Sequence, residues 1–86
     1  MSETTNAQLL THMNFTVHPK SVIVGMEIWQ IRSVYGVQVD AVMTALPHGE
    51  IKFKESPRSK VFAGESLAVK GEQNKVIKLL RVAVLD

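Results

Sequence analysis

The apolar residues of this chain change their spacing at Gly36, and that change constrains the fold more than any other feature. Before it, Ile28, Ile31 and Tyr35 recur at steps of three and four, which is one face of a helix. After it, Val37, Val39, Ala41 and Met43 alternate with Gln38, Asp40, Val42 and Thr44, which is the period of a strand. Gly36 itself suits the left-handed residue that closes a helix. The spacing therefore predicts a helix of two to three turns over Met26–Tyr35 and a strand over Val37–Leu46. Pro47-His48-Gly49-Glu50 reads as a turn. Ile51 and Phe53, alternating with Lys52 and Lys54, read as the second arm of a hairpin, with Phe53 and Phe62 as core residues. Ser66–Lys70 predicts a further strand with Leu67 and Val69 inward, closed by Gly71. Asn74 is a candidate cap for a last helix that buries Val76, Ile77, Leu79 and Leu80. Upstream, Phe15–Val24 is β-prone but broken at His18-Pro19, and Gly25 ends the run. Residues 1–14 are polar and read as a flexible leader with a short helical turn at Ala7–His12. Residues 15–86 form the folded domain. The order is strand, helix, three strands, helix: an α+β fold with a small, mainly antiparallel sheet and two short helices.

At 86 residues the chain is one domain with one modest core. Its longest apolar run, Val82–Leu85, falls far short of the roughly 20 residues that span a bilayer. No cysteine is present, so disulfide scaffolds and thiolate metal sites are excluded. The net charge of +2 is spread thinly, with basic residues interleaved with acids at Glu50, Lys52, Lys54, Glu55, Arg58 and Lys60. A nucleic-acid interface needs a clustered basic face with aromatic platforms. None is visible, and no nucleic-acid partner is expected.

Sites of catalysis are equally scarce. The chain lacks the GxGxxG and P-loop patterns. His12 and His18 are not at the i, i+4 spacing of a helical metal pair, and His48 stands in a turn. Asp40, Glu50, Glu55 and Glu65 read as strand exteriors or turn acids that keep the surface soluble. No enzyme activity, metal or cofactor is expected. Two residues carry double readings. Trp29 lies off the Ile28–Ile31–Tyr35 stripe by about 100°, as a half-buried residue at the core's margin or as an interface anchor. Arg32 stands near the helix end, where a cation is favoured in any case, or serves as an anion ligand.

The ordered set of these features resembles the regulator-of-potassium-conductance C-terminal domain, also called the TrkA C-terminal domain. The residues that carry the likeness are Ser21–Gly25, Ile28, Ile31-Arg32, Tyr35-Gly36-Val37, Val39 and Ala41-Val42, followed by Ile51, Pro57, Gly64-Glu65, Leu67-Ala68-Val69 and Gly71. They cover about residues 15–82. The family usually has aspartate where Glu65 stands here.

The resemblance implies a cytoplasmic regulatory module of a potassium or other cation transporter or channel, held at the inner face of the membrane through that transporter subunit. It implies a homodimer. In some members the cleft between protomers binds a small ligand, notably cyclic di-AMP. Carried onto this chain, such a cyclic dinucleotide or other small anion would meet Arg32, Val37, Gln38 and Val39. The competing reading is a dimerisation or protein-interaction module that binds no ligand.

Overall fold

In the computed structural model, which describes residues 10–84, the element order is β1 (Leu10–Thr16), α1 (Ile28–Tyr35), β2 (Gln38–Ala45), β3 (Ile51–Lys54), β4 (Ser66–Glu72) and α2 (Gln73–Val84). The four strands form one antiparallel sheet in the order β1-β4-β2-β3. Both helices lie on one face of it. α2 packs on β1 and β4, while α1 packs on β2 and on α2. This is the α+β architecture expected from the sequence, with the expected element order.

The core lies between sheet and helices. Phe15, Leu67, Val69 and Val42 supply the sheet side; Ile28, Ile31, Val76, Leu79 and Ala83 supply the helix side. Ile23 and Val61 close one end from irregular segments. These segments are tied down by backbone bonds: Gly25 donates to the Val61 carbonyl at 2.7 Å, and Val61 donates to Met26 at 2.9 Å. The last carbonyls of α2 are satisfied by the incoming chain. His18 N–H donates to Ala83 at 2.8 Å and Ser21 Oγ to Val82 at 2.6 Å, which answers the need of orphan helix-end acceptors.

The first strand was misplaced by sequence reasoning. β1 starts at Leu10, inside the polar stretch read as the leader, and ends at Thr16 rather than running to Val24. Of the expected helical turn at Ala7–His12, the part from Leu10 onward is strand, and the rest lies outside the described residues. Only Met13 and Phe15 mark the inward face of β1, so its alternation was too weak to see. Residues 22–25 form turns, with Ile23 buried and Val22 exposed.

The β2–β4 register shifts between Val39 and Ala41, so Asp40 is the extra residue of a β-bulge. Downstream of it the facing of β2 reverses: Val42, not Ala41 or Met43, enters the core. Cross-strand partners share a face. Met43 pairs with Phe53 and Ala45 with Ile51, so the bulge turns Ile51 and Phe53 to the side without helices. They are 59% and 55% exposed, and Phe62 is 50% exposed in its loop. Phe53 and Phe62 are therefore not core residues.

Gly36 performs the role its position suggested. It has φ 67° and donates its amide to the Arg32 carbonyl at 2.9 Å. An added Cβ would approach Lys75 Cδ at 3.2 Å, but that flexible side chain can withdraw, so backbone strain dominates. Gly36→Val should lower stability by about 1–2 kcal/mol. An unchanged melting temperature would show that α1 does not depend on a left-handed end.

Candidate functional site

The candidate site is built where α1 turns into β2. Glu27 and Gln30 close a reciprocal capping box at the start of α1, with Glu27 N–H donating to Gln30 Oε1 at 2.9 Å. The next two amides are also used: Ile28 donates to the Ser59 carbonyl at 2.9 Å and Trp29 to Pro57 at 3.0 Å. This helix start therefore has no free amides for an anion. An anion at this helix start must be held by side chains.

Ile28 and Ile31 bury one side of α1, and that anchors Arg32 at the surface in its last turn. The turn at Gly36 sends β2 back beside the helix. Arg32, Val37, Gln38 and Val39 are thereby brought together around one shallow open hollow, with Trp29 and Ser33 on its rim. The Val37 side chain is buried at 5% exposure, so only its backbone faces the hollow. Arg32 and Val39 also line a narrower cleft of about 300 Å³, between α1, β2, β3 and the chain near Pro57. Val39 and Pro57 supply apolar surface there, and Asp40 and Glu55 supply carboxylates. Gln38 Nε2 donates to Asp40 Oδ1 at 2.8 Å across the bulge.

The electrostatics single out Arg32. Lys54 lines the same cleft, but its ammonium is committed elsewhere. It contacts both oxygens of Glu65 at 2.9 and 2.8 Å and the Lys60 carbonyl at 2.7 Å, and lies 4.6 Å from the centre of the Phe62 ring. Arg32 has no carboxylate partner among the described residues. A guanidinium in that position can bind a phosphate or carboxylate through two parallel hydrogen bonds. The cleft carboxylates accept N–H donors.

Glu65 is the residue that sequence reasoning most undervalued. It is 5% exposed, not a solvated turn acid. Besides Lys54, its carboxylate accepts from Thr44 Oγ1 and from the Phe62 amide at 2.7 Å. Burial pushes its pKa up. The hydrogen bonds from Lys54, Thr44 and Phe62, with the charge of Lys54, outweigh that and hold it below the ordinary 4.5. The bulge explains the cluster, because it also turns Thr44 and Lys54 toward the helix side, where they need a polar partner. A signal lay in the sequence: a threonine and a lysine on a face that becomes inward once one residue is skipped.

Trp29 is 48% exposed, and its indole donates to Glu27 Oε1 at 2.6 Å. His48 meets Glu50 at 2.7 Å in the exposed hairpin turn. Among the described residues no three His, Asp or Glu side chains converge on a metal position. Nor is any described helix long and apolar enough to cross a membrane.

The sequence profile of no known family matches this chain, and no curated protein sequence matches it. Among solved structures, it is similar to one described as "Crystal Structure of the GsuK RCK domain". The TM-score is 0.60 at 16% identity, and the match covers 85% of this chain and 16% of that one. The chain thus has an RCK-like fold and spans a small part of the length of the protein it matches.

Proposed function

We propose that this chain is a ligand-sensing regulatory domain of a potassium or other cation transport system. It works as a homodimer in the cytoplasm, at the inner face of the membrane through its transporter or channel partner. Its role is binding, not catalysis. The ligand is a small anion or nucleotide, such as cyclic di-AMP, held in the cleft between protomers by Arg32, with Gln38, Val39 and the Val37 backbone beside it. The observation that carries this reading is the junction of α1 and β2 in an RCK-like fold, where one guanidinium, without a carboxylate partner among the described residues, stands beside a cleft of about 300 Å³. A ligand shared by two Arg32 side chains requires both protomers, so ligand and pairing reinforce each other by mass action.

Calorimetry with cyclic di-AMP and related nucleotides tests the reading. Wild type should release or absorb heat on binding. Arg32→Ala should lose a charge-assisted contact of roughly 1.5–3 kcal/mol, about ten- to a hundred-fold in affinity. Sedimentation should give at least twice the 9.5 kDa chain mass. A dimer that binds none of these ligands favours the ligand-free interaction module, for which exposed Trp29 and Val34 on α1 are the natural anchors. A monomer sinks the inter-protomer cleft.

A further inference from the structure

The two edges of the sheet are built differently. β3, at one edge, has four residues, two of them lysines (Lys52 and Lys54). Short length and lysine are common defences of an edge against pairing with another strand. β1, at the other edge, has seven residues, Leu10–Thr16, and pairs with β4 in unbroken register. It contains no proline and no Lys, Arg, Asp or Glu; His12 is its one titratable side chain. Its side chains on the face away from the helices are exposed. Among the described residues, none of its backbone groups bonds to anything but β4.

We propose that the outer edge of β1 is a self-association surface that pairs antiparallel with β1 of a second copy, making one continuous eight-stranded sheet across a two-fold axis. The choice of partner rests on self-complementarity. Val17, which continues β1, donates its amide to the Glu65 carbonyl at 2.9 Å. Odd-numbered residues therefore bond toward β4, and the backbones of Leu10, His12, Asn14 and Thr16 point outward. A two-fold axis at Met13 sets His12 opposite Asn14 of the other copy, and Leu10 opposite Thr16. That register offers about eight backbone hydrogen bonds. It places no two charges of like sign directly opposite, the arrangement that disfavours strand pairs. The corresponding pairing of β3 about Phe53 would set Lys52 against Lys54.

This surface is independent of the ligand reading. The Arg32 hollow lies on α1 and β2, and β4 separates β2 from β1. An edge-paired dimer keeps its two Arg32 hollows apart. If the domain also pairs across the α1 side, the two contacts together build a larger assembly.

The test uses the full chain, which has no cysteine of its own. Met13→Cys puts two thiols at the proposed axis, in a non-hydrogen-bonded pair about 4.5 Å apart at Cα, and mild oxidation should give a covalent dimer. Thr11→Cys, placed off the axis, should stay uncrosslinked. Asn14→Lys, at an exposed position, should halve the sedimenting mass while keeping the wild-type melting temperature. A monomeric wild type, equal crosslinking at both cysteine positions, or an unchanged mass in a folded Asn14→Lys variant overturns the proposal. Should Asn14→Lys fail to fold, the crosslinking contrast still decides. A monomeric wild type overturns both readings; for an associating wild type, the calorimetry of Arg32→Ala bears only on the cleft and the crosslinking contrast only on the β1 edge.

Discussion

Glu65→Ala should destabilise the domain by about 3–5 kcal/mol, the usual loss when one partner of a buried ion pair is removed. The substitution strands the Lys54 ammonium, the Thr44 hydroxyl and the Phe62 amide at once. Lys54 is partly exposed and keeps the Lys60 carbonyl, which favours the lower end of that range. Chemical denaturation measures the loss, and Glu50→Ala in the exposed hairpin turn serves as a control near zero. The double variant Lys54→Met/Glu65→Leu should recover much of the loss, because it leaves no unpaired charge. A Glu65→Ala protein as stable as wild type would remove the cluster from any account of the fold. The pH dependence has a definite sign. The folded pKa of Glu65 lies below 4.5, so the folded state favours the carboxylate. Its contribution is fully present above pH 4.5 and is lost as pH falls through the lowered folded value. The stability gap between wild type and Glu65→Gln should therefore narrow in that acid range and stay constant above it.

Leu67→Ala should cost about 2–5 kcal/mol. Leu67 is fully buried on β4, between β1 and β2 and beneath the helices, and surrounding strands leave it little room to collapse. For a domain of this size, whose whole stability is roughly 4–13 kcal/mol at 0.05–0.15 kcal/mol per residue, such a loss is a large share. The informative partner is Phe53→Ala. A hydrophobic residue alternating with lysines looks as buried as Leu67 in the sequence, yet Phe53 is 55% exposed. Its truncation should change folding stability by less than about 1 kcal/mol. Equal losses at the two positions would show that β3 faces the core after all.

What was legible in the sequence was whatever depends on local period. Gly36 separates two periodicities, so the end of α1 and the start of β2 could be read within a residue or two. The same holds for Leu67 and Val69 on β4 and for Val76 and Leu79 on α2. Arg32, Val37, Gln38 and Val39 were grouped through the family resemblance, and they line one hollow because a single turn joins their two elements. What could not be read was parity beyond Asp40. A bulge leaves no mark in a run such as Val37–Ala45, where apolar residues occur on both faces, yet it reverses every side chain after it. Phe53, Thr44 and Lys54 were misjudged through that one step, and Glu65, read as a turn acid, is buried as the polar partner of Thr44 and Lys54. β1 was missed for a different reason: one of its three inward positions, Thr11, is polar, and its pairing partner is remote.

That remoteness has a consequence for how the chain acquires its shape. β2 and β3 meet through a tight turn, and α1 leads directly into β2, so this half can assemble from neighbouring residues. β1 has no such neighbour. Among the described residues it pairs only with β4, beyond α1, β2 and β3, and closing so long a loop is entropically late. On a ribosome adding about 5–20 residues per second, β1 waits on the order of several seconds before β4 emerges. The uncharged strand is thus the one that spends longest without a partner, and a crowded polysome is where premature strand exchange between nascent copies should begin.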